Sequence, residues 1–149
     1  MAAVAKYLVD NSALSRVNLP EVERVLQPLI EAGLVATCAM IDFEVLWSTR
    51  SPKQFNAVRA NRSLGYEWLA TEDTDWRRAL DVQGRLWAAG KMRSVPLPDL
   101  LISAVAERHH VTVIHYDSDF DLIAAVTHQK TQWVVPRGSI AAPAAPASL

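Results

Sequence analysis

The chain has 149 residues, half of them hydrophobic, with a single cysteine and a net charge of −1. That composition supplies one core and one domain, but it offers no global positive field to hold a nucleic acid by counterion release alone and no second thiol for an internal disulfide. No run approaches the ~18 apolar residues of a membrane span. The opening Met1-Ala2-Ala3-Val4-Ala5-Lys6 lacks the charged head and long apolar stretch of a secretory leader, so the expected location is the cytoplasm.

Tyr7-Leu8-Val9 is a short apolar run cut off by Asp10-Asn11-Ser12, which predicts a buried strand stopped by turn-favouring residues. From Pro20 to Ala32, Val22, Val25, Leu26, Leu29 and Ile30 recur at helical spacing, with Gly33 as the C-cap. Leu34 to Thr37 predicts a second strand, and Cys38 beside it reads as a small core residue. A helix follows near Ile41 to Thr49, carrying Phe43, Leu46 and Trp47. Ser51-Pro52 starts another, which runs to about Leu64 and stops at Gly65. Tyr66 to Ala70 reads as a short strand. Thr74 to Ala89 is expected to be a helix with Trp76, Ala79, Leu80, Gln83, Leu86 and Trp87 on one face and Gly90 at its close. Pro96-Leu97-Pro98 opens a helix from Asp99 to about Arg108, and Val111 to His115 is the clearest strand. Asp117 and Ser118 start a helix holding Phe120, Ile123 and Ala124, and Trp133-Val134-Val135 is a last strand. Residues 1–138 are thus expected to form the domain. The Ala- and Pro-rich remainder, 139–149, has no periodicity and is expected to be a disordered tail.

Short apolar strands alternating with amphipathic helices imply a parallel sheet sandwiched by helices. In such a sheet ligands bind outside the carboxyl ends of the strands. Four acids are expected on that rim: Asp10 ends the first strand, Asp117 lies just beyond Val111 to His115, Asp99 opens a helix after Pro98, and Glu44 falls in the first turns after the second strand. Each has a purely structural role open to it, as a turn cap, a first-turn helix acid or an exposed helix residue. Their coincidence at one rim argues otherwise. Like charges ~4 Å apart at an effective dielectric near 20 repel by about 4 kcal/mol, so such a cluster needs a cation or several protons. An oxygen-rich, nitrogen-poor site suits Mg²⁺ or Mn²⁺ rather than zinc.

The segments around these acids carry a family resemblance. Tyr7-Leu8-Val9-Asp10-Asn11-Ser12-Ala13-Leu14, Phe43-Glu44-Val45-Leu46, Pro98-Asp99-Leu100-Leu101-Ile102-Ser103-Ala104 and Tyr116-Asp117-Ser118-Asp119-Phe120 together resemble the four acidic motifs of PIN domains. They are most similar to those of VapC toxins from bacterial toxin–antitoxin pairs, over about residues 6 to 136. The resemblance implies a three-layer α/β/α sandwich with a central, mostly parallel sheet. It also implies Mg²⁺- or Mn²⁺-dependent endonucleolytic cleavage of RNA, of the tRNA or ribosomal RNA class, a homodimer, and a cognate antitoxin that buries the site. By that mapping Asp10 and Asp99 are metal ligands, Glu44 and Asp117 complete the acidic site with Asp117 as a further ligand, and Asp119 is an extra ligand or a helix cap. Ser12 matches the family's small hydroxyl, held to a carboxylate or a water. Asn11 stands where the family commonly has Thr, and Ala39-Met40-Ile41-Asp42 before Glu44 is less polar than usual.

Arg50, Lys53, Arg59 and Arg62 bracket one helix, and Lys91 and Arg93 precede the Asp99 motif. They are candidates for phosphate contacts beside the metal, with a solvated helix face as the alternative. Trp47, Trp76 and Trp87 sit among aliphatics at helical spacing, which favours the core or a groove for a partner helix over base-stacking platforms. His109, His110, His115 and His128 show no zinc-ligand spacing. A metal-dependent phosphohydrolase on a Rossmann-like fold is a rival, but Asp10-Asn11-Ser12 lacks the Asp-x-Asp that a haloacid-dehalogenase-type enzyme would use. A PIN-like module kept only for binding RNA or protein would predict a broken acid set, and this one is whole.

Overall fold

The computed structural model describes residues 3–140; of the expected 139–149 tail, Ile140 packs against the core that holds Val9, and the part from 141 onward lies outside the described residues. Five short strands, β1 (Tyr7–Val9), β2 (Val35–Thr37), β3 (Glu67–Trp68), β4 (Thr112–His115) and β5 (Thr131–Trp133), form an all-parallel sheet in the order β3-β2-β1-β4-β5. At its centre Leu8 lies opposite Ala36 on one side and Val113 on the other. Successive side chains of a strand point to opposite faces, and β1 uses both. Leu8 enters a core with Leu86, Ile102, Val105 and Phe120. Val9 enters a second core with Val22, Leu26 and Ile114.

Each core is roofed by helices, as parallel strands require. On the Val9 side lie α1 (Asn11–Leu14) and α2 (Pro20–Glu31). On the Leu8 side lie α3 (Ala39–Trp47), α5 (Asp73–Ala88), α6 (Leu97–His109) and α7 (Asp119–Thr127), while α4 (Pro52–Gly65) leans on α3. The result is the expected three-layer sandwich. Proline starts and polar caps set the helix beginnings: Pro20 opens α2, and Ser51 Oγ accepts the Gln54 N–H at 3.0 Å before Pro52 in α4. α6 is buried along its length from Asp99 to Ala106, and it ends on His110 in the left-handed conformation (φ 56°) that glycine more often takes.

Several expectations are corrected. On α5 the buried residues are Asp75, Ala79, Val82 and Leu86, whereas Trp76, Leu80 and Trp87 face solvent. The helix offers two apolar stripes, and the one with small Ala79 permits the close approach to α6 that bulky indoles would block. Trp47 is also outside the core, 90% exposed. The last strand is Thr131–Trp133, because those residues pair with Val113, Ile114 and His115. Val134 and Val135 are buried beyond it in the second core. The four-residue α1 stands where the sequence suggested only a turn, and the remaining element ends shift by one to a few residues.

Candidate metal centre

The acids of the four motifs converge at the rim where the strands end. Asp10 follows β1, and its N–H donates to the Ile114 carbonyl at 2.9 Å, prolonging the β1–β4 pairing. Its Oδ2 accepts the Ser12 N–H at 3.0 Å and caps α1. The capping role therefore exists, but it occupies one oxygen; Oδ1 is buried without a partner. Glu44, in the second turn of α3, and Asp99, in the first turn of α6, likewise each keep one buried, unpartnered carboxylate oxygen. Asp10, Glu44 and Asp99 offer oxygens within 4.8 Å of one another, and Asp99 forms a second such group with Asp117 and Asp119. Asp99 is thus the hinge of five carboxylates. Asp119 shares this second group, and its N–H also donates to Asp117 Oδ1 at 3.0 Å.

The electrostatics follow from this crowding. Burial pushes Asp99 up to about 8, with the charges of Asp10, Asp117, Glu44 and Asp119 adding to it. Glu44 rises to about 7 by burial and the charge of Asp10, and Asp119 to about 6 by burial and Asp117. Asp10 is raised by burial against the pull of its hydrogen bonds to Ser12 and Asn11. No Lys, Arg or His among the described residues forms an ion pair with these five acids. Unpaired carboxylate oxygens aimed into one space are what a hard divalent cation requires, so the residues fit a metal ion.

The surroundings hold this geometry. Ser12 Oγ accepts the Tyr116 N–H at 2.9 Å, tying α1 to the end of β4 across 104 residues. His115, fully buried between Phe120 and Trp133, accepts the Asp117 N–H on Nδ1 at 3.1 Å. Arg16 donates to the Ser12 carbonyl and lies over the Tyr116 ring at 4.7 Å. Neither His115 nor Arg16 was singled out as a site residue from sequence. Only the adjacency of His115 to the Asp117 motif pointed there.

The nominated cations divide. Arg50, Lys53, Arg59 and Arg93 are exposed. Arg62 is not free for phosphate. It is 7% exposed, its Nε donates to Asp42 Oδ1 at 2.9 Å and its Nη2 to Thr37 Oγ1 at 2.9 Å. Asp42 also accepts from Thr37 Oγ1 at 2.7 Å, so Arg62 locks α4 to α3 and to the end of β2.

A three-layer sandwich with acids from four strand and helix ends at one rim defines a PIN domain, and the family model for that domain matches residues 7–126. The chain belongs to the PIN-domain family. It is 45% identical over 134 residues to Ribonuclease VapC21 of Mycobacterium tuberculosis, covering 90% of this chain and 97% of that protein. It is 44% identical over 135 residues to Ribonuclease VapC51 of the same organism, covering 91% and 97%. Among solved structures, DNA-bound VapBC from Salmonella typhimurium shares the fold with a TM-score of 0.71 at 16% identity, over 89% of this chain and 100% of that one. FitAcB from Neisseria gonorrhoeae does so with a TM-score of 0.65 at 19% identity, over 84% and 95%.

Proposed function

We propose that this chain is a Mg²⁺- or Mn²⁺-dependent endoribonuclease, the toxin of a toxin–antitoxin pair. The observation that carries the reading is the cluster of Asp10, Glu44 and Asp99, whose carboxylates come within 4.8 Å of one another and each keep a buried oxygen that no protein donor satisfies. Family membership and the ribonuclease relatives support the same reading. Asp10, Glu44 and Asp99 would hold one divalent ion, with Asp117 and Asp119 completing the site from the other side of Asp99. Such an ion lowers the pKa of water and screens the charge that develops on a phosphodiester. Glu44 also lines the open cavity beside the acids, so it is the carboxylate placed to take a proton from an attacking water. Ser12 and His115 keep Asp10 and Asp117 oriented through the Asp10–Ser12 cap, the Ser12–Tyr116 bond and the His115–Asp117 bond. The proposed partners are a tRNA or ribosomal RNA substrate, a second copy of the chain, and a small antitoxin that presents a cation to the acids. No described helix is long and apolar enough to cross a membrane.

The test is cleavage of RNA by purified protein with Mg²⁺ or Mn²⁺, with and without EDTA. Asp99→Asn and Asp10→Asn should each lower the rate by on the order of 10²-fold or more while the circular dichroism spectrum stays that of the parent. Undiminished cleavage by both variants would sink the assignment of these acids.

A further inference from the structure

α3 carries more than Glu44. Phe43 and Trp47, one turn apart, are 71% and 90% exposed. Residues three and four apart share one side of a helix, so Glu44 and Trp47 are neighbours as well. The two aromatics, Glu44 and Asn11 line one open cavity of about 380 Å³. Glu44 is therefore the shared wall between this cavity and the cluster of Asp10 and Asp99. On the far side of Phe43 a second cavity, of about 320 Å³, brings in Phe55, Trp68 and Arg59. Exposed Arg50 and Lys53 follow Trp47 in the chain.

Aromatic faces interleaved with cations, leading away from a phosphate-cleaving centre, are the elements of a single-strand nucleic-acid track. Every base has a π-face to stack and every linkage a charge to neutralise. The overall charge of −1 strengthens the case, because affinity must come from such local contacts. Resting on the ribonuclease reading, we infer that Trp47, with Phe43 beside it, is a stacking platform for an unpaired nucleobase flanking the scissile phosphate, and that Asn11 faces the edge of that base. Trp47 is then a specificity-determining residue: it selects RNA in which the nucleotide next to the cut is single-stranded or flipped out.

The experiment compares Trp47→Ala, Trp47→Leu and Trp47→Phe, all on a side chain too exposed to unfold the protein. Binding of a fluorescein-labelled single-stranded RNA with Mg²⁺ is measured in the Asp99→Asn background, and cleavage positions on a mixed-sequence RNA are mapped in the otherwise native chain. Ala and Leu should each weaken binding roughly 10-fold, raise KM more than they lower kcat, and blur the choice of cleavage position. Phe, which keeps a π-face, should recover most of the loss. If Leu behaves as the parent does, an apolar surface suffices; the groove then serves a protein helix and the platform is overturned. Identical binding and cleavage maps for all three variants would also overturn it. Absence of RNA cleavage by the parent chain itself is a different result, one that rejects the ribonuclease reading on which the platform rests.

Discussion

The two ends of α6 treat buried carboxylates in opposite ways. At its start Asp99, 6% exposed, is surrounded by other acids and pushed up to about 8, even though a helix N-terminus favours negative charge. Near its end Arg108 reaches Asp75 of α5, which is 1% exposed, and its Nε and Nη2 donate to the two carboxylate oxygens at 2.8 and 3.0 Å. Asp75 also accepts the Glu72 N–H at 2.8 Å. Burial would raise Asp75, but the Arg108 hydrogen bonds and charge, with the Glu72 bond, hold it below its ordinary value. Burial is common to both ends and so does not mark the candidate site. The missing partner does.

The contrast breaks most visibly at the paired end. Arg108→Met strands a buried carboxylate and should cost about 2–3 kcal/mol in urea denaturation, less than a fully buried pair because Arg108 is partly exposed. Adding Asp75→Asn to that variant should recover part of the loss. An unchanged unfolding midpoint for the single variant would mean that the pair contributes nothing. At the unpaired end the sign reverses. Asp99→Asn should stabilise the metal-free protein by on the order of 1 kcal/mol, and saturating Mg²⁺ should then stabilise the parent more than the variant.

The same acids set a pH dependence. Asp99 and Glu44 have folded-state pKa values above their ordinary 3.8 and 4.5, so the folded chain holds protons that the unfolded chain releases. Their contribution is present in full below those ordinary values and is lost as pH rises through about 7 and 8. Melting temperature without metal should therefore fall across that window, and saturating Mg²⁺ should flatten the slope. A metal-free profile that rises there would contradict it. The smallest effect separates the cations. With the cleavage-dead chain, changing Arg50, Lys53 or Arg59 to Gln should each flatten the salt dependence of RNA binding by about one unit in log K against log salt. Arg62→Gln should leave that slope alone and lower stability instead.

What could be read from sequence follows from how local the governing physics is. Strand ends and helix starts are set by neighbours, so Asp10, Glu44, Asp99 and Asp117 could be placed on one rim from short motifs. The fate of Trp76 and Trp87 depends on which of two stripes on α5 meets α6, and a periodicity cannot choose between stripes. Arg62 resembled any exposed helix cation, because the partners that bury it, Asp42 and Thr37, lie 20 and 25 residues earlier. Trp133 was placed in the last strand, but the register of that strand depends on its pairing with β4.

β1 is made first yet lies in the middle of the sheet, flanked by β2 and by the much later β4. A growing polypeptide therefore leaves the ribosome with Asp10 and Glu44 in hand but without Asp99, Asp117, or the strand whose Ile114 carbonyl receives the Asp10 N–H. Domains generally fold as units during synthesis, and here the unit closes only after β4 has been made. An acid site wired in this order stays incomplete while its own chain is still being translated. Nascent chains stalled before Thr112 should accordingly bind no Mn²⁺ above background, whereas chains released in full should.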